Sequence, residues 1–340
     1  MLPFLLLAAL PAFAEPPAPP LRVLVYNIYG RRENDCEQRY RALAAQILAA
    51  SPPYDIVALN EHWKVRGDRW FTCDADVLTR AIESDGRYAG AGRSLKHRPS
   101  TTDVFQTSGG NSVFTLHRIT DAHEGHFVNG RPIPLSGYLL ARVDLGGGRA
   151  LDLWNVHLEA GSDGCDRDCR LEQMTDFGSS VELFKEKNPA LIVGDFNIGG
   201  PLAAADKPPF PGNPGYQDIL DTFYRPRDLW LESGAGEGFT YDCAQNRIPS
   251  CKGRERIDYM FLPESREILD PDSDYVLVPK KIEVVRWKTS SGMDVSDHYG
   301  LDATLELRRR VRASVSSLSE SLGPMSRRLQ GLAGRPFSWD

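Results

Sequence analysis

Six segments of this 340-residue chain place a carboxylate, an amide or an imidazole at or near the end of a β-like apolar run. A single residue of this kind is explained by a turn, because Asp and Asn readily end strands. Six occurrences with oxygen or imidazole side chains indicate one convergent pocket, and hard oxygen donors with histidine suit Mg²⁺ or Mn²⁺ rather than zinc. The side chains are Asn27, Glu61, His157, Asp195 with Asn197, Asp258, and Asp297 with His298.

Several of these residues also have a plainer reading. Asn27 can be a satisfied turn residue, and a histidine that ends a strand, as His157 does, is often a hydrogen-bonded core residue. Asp258 can form a buried salt bridge with Arg254 or Arg256, which lie close to it in the sequence. The functional interpretation requires these residues to lie close together in the folded protein.

The elements that must position these residues are strands joined in hairpins and flanked by helices. Helical periodicity covers 37–51, 74–84 and 168–187, and the last of these carries Leu171, Met174, Phe177, Val181 and Phe184 on one face. A Gly146–Gly148 turn joins two of the strands into a hairpin. The pattern predicts two sheets covered by helices. Strands are predicted at 22–30, 55–63, 111–117, 137–145, 150–158, 190–197, 256–262 and 298–307.

Charge is unevenly distributed along the chain. The net charge is −6, with 41% hydrophobic and 25% charged residues, which is ordinary for one large α/β domain. Residues 308–340 hold seven Arg against Glu320 and Asp340, which gives +5 and leaves −11 on the body. An acidic body argues against a basic nucleic-acid groove and suits divalent-cation binding.

The N-terminal residues 1–14 have the features of a secretory signal peptide. An apolar stretch precedes the small-x-small site Ala12-Phe13-Ala14, although the usual basic start is missing. The stretch is too short to span a membrane, and a Pro-rich spacer follows at 15–21. Six cysteines form an even set, as expected in an oxidising compartment. We expect a secreted or periplasmic protein.

The order Asn27, Glu61, His157, "GDFN", "RIDYMF" and "SDHYG" resembles the endonuclease/exonuclease/phosphatase superfamily. The resemblance covers about residues 22–307, which we expect to be the catalytic domain. It implies a four-layered αββα sandwich, an α/β fold with two mixed, mainly antiparallel sheets. It also implies a Mg²⁺- or Mn²⁺-dependent phosphodiesterase or phosphatase.

The resemblance further implies a role for each residue of the set. Glu61 would be the main metal ligand, helped by Asn27, with Asp297 as a neighbouring metal or water ligand. Asp195 would orient or deprotonate the attacking water, and Asn197 would donate to a phosphate oxygen. Asp258 would orient His298, and His157 would stabilise the phosphorane or donate to the leaving group. Which histidine acts as acid and which as base stays open.

The segment "NVHLEAGSDGCDRDCRLEQMTDF", with Arg170 and Gln173 on the following helix, is similar to the neutral sphingomyelinase branch. That branch cleaves sphingomyelin to ceramide and phosphocholine, so we expect a monomer that contacts a phospholipid head group. Its secreted bacterial members insert an aromatic-tipped hairpin into the membrane. The corresponding stretch 283–295 has Trp287 as its only aromatic residue, so insertion through it would be shallow.

Three other functions stay open: a phosphomonoesterase, a non-catalytic interaction protein and a secreted DNase-like endonuclease. An endonuclease needs basic side chains to hold phosphates. Residues of that kind are Lys64, Arg66, Arg69, Arg93, Lys96 and Arg98.

In the fold that the resemblance implies, Cys36 and Cys73 lie in loops that leave the metal-bearing edge. We therefore predict a Cys36–Cys73 disulfide, with Cys243–Cys251 and Cys165–Cys169 as further pairs, although other connectivities stay open.

Residues 311–332 in the tail (308–340) have apolar steps of three and four, interrupted by Gly323-Pro324. This segment is either a solvated, partly disordered chain or a basic amphipathic segment that lies on an anionic membrane or on a partner.

Overall fold

The computed structural model describes residues 19–63, 72–88, 94–96, 109–129, 136–161, 165–202, 213–248, 253–263 and 273–310, with only the backbone given for Ser94–Lys96. The chain divides into two compact units, Met1–Arg308 and Arg309–Asp340. The predicted signal peptide, most of the predicted Pro-rich spacer and the tail beyond Arg310 lie outside the described residues. No helix among the described residues is long and apolar enough to cross a membrane.

Fourteen strands and five helices follow one another along the described chain. The helices are α1 (Cys36–Ala49), α2 (Ala75–Glu83), α3 (Arg167–Phe184), α4 (Pro214–Thr222) and α5 (Leu229–Ser233). The strands are β1 (Leu21–Asn27), β2 (Ile56–Asn60), β3 (Ser94–Lys96), β4 (Ser112–Thr115), β5 (Arg118–His126), β6 (Gly137–Gly146), β7 (Arg149–His157), β8 (Ala190–Asp195), β9 (Arg227–Asp228), β10 (Tyr241–Asp242), β11 (Arg254–Glu255), β12 (Asp258–Leu262), β13 (Tyr275–Val285) and β14 (Gly300–Arg309).

The strands form two six-stranded sheets and one small ribbon. The first sheet has the order β13-β14-β1-β2-β4-β3, and the second has the order β5-β6-β7-β8-β12-β9. Each sheet has a parallel pair at its centre, β1 with β2 and β7 with β8, beside antiparallel neighbours. Both sheets are therefore mixed and mainly antiparallel, which confirms the predicted fold class.

Three apolar clusters define four layers. The cluster between the sheets joins Val25 and Ala58 of the first sheet to Leu153 and Val193 of the second. A second cluster packs α1 and α2 against the outer face of the first sheet, and a third packs α3 and α4 against the outer face of the second. On α3 the predicted face is confirmed, because Met174, Phe177 and Val181 are buried and the other two members are half-buried.

The predicted strands do not include β5 and β13, which both lie at sheet edges. β5 is largely polar and exposed, with the sequence Arg-Ile-Thr-Asp-Ala-His-Glu-Gly-His. An edge strand does not need the apolar run that reveals a buried strand, because its outer side faces water. β5 and β13 therefore depend on pairing with their neighbouring strands. The short helix α4 likewise depends on its packing against the sheet.

A group of buried amides joins the two sheets beneath one shared edge. The Asn60 side chain, at the end of β2, donates to Asn155 Oδ1 (2.9 Å) and to Asn111 Oδ1 (2.8 Å). Its own oxygen accepts from the backbone N–H of Asp195 (3.1 Å), at the end of β8. Asn155 in turn donates to the carbonyl of Leu59 (2.9 Å). These bonds fix the ends of β1 and β2 beside the ends of β7 and β8.

We predict that Asn60→Ala lowers the free energy of unfolding by about 2–4 kcal/mol, because it leaves several buried polar groups without partners. Urea denaturation measures the change. Asn188→Ala serves as the control, since Asn188 makes one partly buried bond to Asp152 at the other end of the second sheet. It should cost less than about 1.5 kcal/mol. Equal losses in the two variants would contradict a special role for Asn60.

Candidate active site

The strand pairing brings the ends of six segments together at one end of the sandwich, where the strand ends of the two sheets form a shared edge. Parallel pairing places Asn27 of β1 level with Asn60 of β2, and His157 of β7 level with Asp195 of β8. Antiparallel pairing places Asp258, the first residue of β12, opposite Asp195. β14 is antiparallel to β1, so the residues just before Gly300 lie at the same edge. All the sequence-predicted site residues are therefore at this edge.

Asp195, Asp258 and His298 form the centre of the site. His298 Nδ1 lies 2.9 Å from Asp258 Oδ2, and His298 Nε2 lies 3.7 Å from Asp195 Oδ2. All three residues are buried, and one ligand-type atom from each lies within 4.8 Å of the others. The carboxylate of Asp258 thus orients an imidazole whose second nitrogen faces Asp195.

Burial controls the electrostatics of this centre. Burial, followed by the nearby Asp258 carboxylate, raises the pKa of Asp195 to about 8. For His298, burial lowers the pKa, but the carboxylates of Asp258 and Asp195 outweigh burial and raise this pKa well above its usual value. His298 is therefore an imidazolium at neutral pH and supplies positive charge to two buried acids.

His157 approaches Asp195 from the second sheet, with Nε2 3.7 Å from Asp195 Oδ2. Burial, together with the positive charge on His298, lowers the pKa of His157 to about 4, so its imidazole is neutral near pH 7. Its Nδ1 is buried and makes no hydrogen bond within the described part of the chain. The Trp63 ring packs beside it with centroids 6.2 Å apart. The two histidines thus differ in charge: near pH 7 His157 is neutral and His298 is positive.

Glu61 and Asn27 form the first-sheet side of the site. Glu61 has a φ of 61°, an uncommon backbone conformation for a residue other than glycine. Its carboxylate accepts from Asn27 Nδ2 (3.3 Å) and from the backbone N–H of Gly30 (3.0 Å). Asn27 Nδ2 also donates to Asp195 Oδ2 (2.9 Å), which links the two halves of the site. A side chain at Gly30 would collide with the carbonyl of Glu61, so this approach requires glycine.

Asp297 adds a further buried carboxylate next to His298. Burial raises the pKa of Asp297 to about 6, the positive charge of His298 lowers it, and the charge of Glu61 raises it. Two carboxylates that repel each other, beside an amide, form a set of hard oxygen donors that fits Mg²⁺ or Mn²⁺. Asn27 offers its amide nitrogen in the present orientation, so it would have to turn its amide to act as an oxygen ligand.

Asn197 lies just beyond Asp195 and has a φ of 50°. Its backbone N–H donates to Asp195 Oδ1 (2.8 Å), and its side chain donates to the carbonyl of Leu158 (2.8 Å). One of the two amide hydrogens is thereby used, and the other is left for a ligand.

Asp258 does not form the salt bridge with Arg254 or Arg256 that the sequence left open. Arg256 pairs with Asp228 (2.7 Å) and Arg254 with Asp242 (2.9 Å), so Asp258 is left to His298. Asp258 Oδ1 is buried and makes no hydrogen bond within the described residues.

Two hydroxyl groups to which the sequence analysis assigned no role support the site residues: Thr240 lies outside the quoted motifs, and Ser296 is the first residue of "SDHYG". Thr240 Oγ1 accepts from the backbone N–H groups of Ile257 and Asp258, both at 3.1 Å. Ser296 Oγ donates to the carbonyl of Asn27 (2.6 Å) and accepts from the backbone N–H of His298 (3.2 Å). A single hydroxyl such as that of Thr240 carries no periodic or spacing signal, and the motif around Ser296 does not show which backbone groups its hydroxyl bonds.

The disulfide predictions are confirmed for Cys36–Cys73 and Cys165–Cys169. Cys243 is also disulfide-bonded, while Cys251, its predicted partner, lies outside the described residues. Disulfides of this kind are typical of proteins from oxidising compartments.

Two features bear on the alternatives for the substrate. Trp287 does not extend from the surface as a membrane anchor would, because its half-buried ring stacks on Tyr26 with centroids 5.6 Å apart. The basic side chains considered for DNA binding lie outside the part of the chain whose side chains are described.

Comparison with known proteins identifies a family. The profile described as the Endonuclease/Exonuclease/phosphatase family matches residues 24–298. A search of curated protein sequences found no match.

Solved structures share the fold at low identity. A Staphylococcus aureus beta toxin mutant with bound magnesium ions superposes with a TM-score of 0.60 at 18% identity, over 84% of this chain and 99% of that one. Sphingomyelinase C from Streptomyces griseocarneus gives 0.58 at 19% identity, over 84% and 99%. D. rerio TDP2, complexed with a single-strand DNA product, gives 0.57 at 18% identity, over 84% and 98%.

The raised pKa of Asp195 predicts a pH-dependent effect of Asp195→Asn on stability. Above the unfolded-state pKa of about 3.9, the unfolded chain releases this proton while the folded protein retains it up to about pH 8, so rising pH destabilises the wild type. The variant lacks this carboxyl. Its free energy of unfolding relative to wild type should therefore increase between about pH 5 and about pH 8.

Urea unfolding in EDTA at both pH values measures this difference. Asp176→Asn, on the exposed face of α3, is the control and should show the same difference at both pH values. A relative stability of Asp195→Asn that stays constant or falls with pH would contradict the prediction.

Proposed function

Because the chain belongs to the endonuclease/exonuclease/phosphatase family, we propose that it is a divalent-metal-dependent phosphodiesterase that cleaves sphingomyelin to ceramide and phosphocholine. The observation that carries the proposal is the meeting of two carboxylates and two imidazoles, Asp195, Asp258, His157 and His298, beside Glu61 at one edge of the sandwich. Metal-assisted hydrolysis of a phosphoester uses groups of these types in one pocket.

The cation-holding residues in this proposal are Glu61, Asn27 and Asp297. A divalent ion bound by them would neutralise the phosphodiester and stabilise the charge that develops in the transition state. Glu61 is presented by two hydrogen bonds that fix its carboxylate, while Asp297 is buried next to His298. Both carboxylates retain lone pairs for a further ligand.

The remaining residues act on water and on the phosphate in this proposal. Asp195 orients the attacking water, and His298 is held by Asp258 for proton transfer. Asn197 donates its remaining amide hydrogen to a phosphate oxygen. His157 faces Asp195 on the other side and stabilises the phosphorane or serves the leaving group.

The choice of sphingomyelin rests on the segment that follows His157. Gln173 Oε1 accepts from the backbone N–H of Glu159 (3.0 Å), so the Arg-x-x-Gln motif of α3 holds the chain that carries His157. The similar structures include a sphingomyelinase C, which supports the same choice. We further propose a catalytic domain at 22–307 and secretion through the signal peptide at 1–14.

The test is a product assay on three substrates side by side: sphingomyelin vesicles, plasmid DNA and a soluble phosphomonoester. We expect Mg²⁺-dependent release of phosphocholine that EDTA abolishes. Asp195→Ala and His298→Ala should each lower kcat by at least about a hundredfold, because each removes a group from the reacting centre. His117→Ala is the control, because His117 pairs with Asp55 at the opposite end of the first sheet.

Full activity in excess EDTA, or an active Asp195→Ala enzyme, would refute the metal-dependent mechanism. Cleavage of DNA or of the phosphomonoester in place of sphingomyelin would keep the phosphoesterase and change its substrate.

A further inference from the structure

Arg39 is a buried arginine to which the proposed reaction assigns no role. Its side chain has no exposure, and within the described residues it makes no ion pair with a carboxylate. A buried charge without a counter-ion is costly unless hydrogen bonds compensate for it. Its five N–H groups lie within hydrogen-bond distance, 2.9–3.4 Å, of six backbone carbonyls, with the two Nη2 hydrogens shared among three of them. The carbonyls are those of Ile28, Tyr29, Arg31, Glu33, Asn34 and Val295.

Five of these carbonyls belong to the loop 28–35 between β1 and α1. In this loop Tyr29, Asn34 and Asp35 have φ values of 50°, 54° and 50°, which side chains other than glycine seldom adopt. Such conformations persist only when the surrounding structure holds them in place. The arginine fork provides this support from inside, and a bond from the N–H of Cys73 to the carbonyl of Gly30 (2.8 Å) adds to it.

The loop in turn contacts two of the candidate metal ligands: it fixes the Glu61 carboxylate, while its bond to Asn27 opens when the Asn27 amide turns to act as a ligand. The N–H of Tyr29 donates to Asn27 Oδ1 (3.1 Å), and the N–H of Gly30 donates to Glu61 Oε2 (3.0 Å). The sixth carbonyl, of Val295, lies two residues before Asp297 in the segment that leads to β14. One guanidinium therefore ties together the segments on both sides of the candidate cation site.

We propose that Arg39 is a positioning residue that pre-organises the cation site by fixing loop 28–35 and the segment before Asp297. The inference rests on the proposed metal-dependent function. The expected change in cation affinity has a definite sign. Removing a positive charge near Glu61 and Asp297 would by Coulomb attraction alone strengthen the binding of a divalent cation. Loss of pre-organisation weakens it, and we infer that pre-organisation dominates.

The experiment is calorimetric titration of the purified protein with Mn²⁺, with folding checked by circular dichroism. Arg39→Met and Arg39→Lys should both raise the Kd by at least about tenfold, since supporting residues of metal sites have effects of this size. The lysine variant keeps the charge and loses the fork. Arg142→Lys is the matched control, because Arg142 is buried against Asp152 (2.8 Å) at the far end of the second sheet. Its Kd should change by less than about threefold.

An unchanged Kd in both Arg39 variants, or tighter binding by Arg39→Met, would overturn the inference and leave the proposed function intact. No Mn²⁺ binding to the wild type would overturn the proposed metal site and this inference with it.

Hydrogen exchange of the wild type provides a test that does not depend on a folded variant. A pre-organised loop predicts that the amides of Gly30 and Cys73 are already protected without metal, and that saturating Mn²⁺ changes their exchange by less than about threefold. Fast exchange without metal and strong protection with it would show that the ion, and not Arg39, orders the loop.

Discussion

The arrangement of charge at one edge of the sandwich is the constraint on which the rest of the structure depends. Glu61, Asp195, Asp258 and Asp297 meet there, and three of these four carboxylates are buried. Bringing acids out of water is costly unless positive charge is close. The imidazolium of His298 compensates for Asp258, and Asp195 avoids the cost by retaining its proton up to about pH 8. Glu61 and Asp297 lie on the side of the site away from Asp258, and they form the part where an added cation would bind.

The fold satisfies this constraint by making two sheets end at the same place. A parallel pair at the centre of each sheet presents its carboxyl end to the site, and an antiparallel neighbour in each sheet presents its amino end. Asn60 fixes the offset between the sheets by bonding to Asn155 and to the N–H of Asp195. The sandwich therefore brings residues distant in sequence together, and loop 28–35 adds local support for Glu61.

The sequence predicted the fold class and the convergence of the site because both leave local signals. Apolar strands that end in Asn27, His157 or Asp195 are visible in a single sequence, and the family resemblance supplied their order. Arg39 and Asn60 could not be found in this way. An arginine on a helix normally faces water, and only the folded carbonyls of loop 28–35 and of Val295 show that this one is buried. Their partners exist only once the chain has folded.

The central claim is that a divalent cation binds on the Glu61 side of this edge. An anomalous difference map from a crystal soaked in Mn²⁺ tests it most directly, because the map locates the ion independently of activity. The account predicts a peak within about 2.5 Å of a Glu61 carboxylate oxygen. A peak among Asp195, Asp258 and His298, which together also have the geometry of metal ligands, would contradict it, as would a map with no peak at this edge.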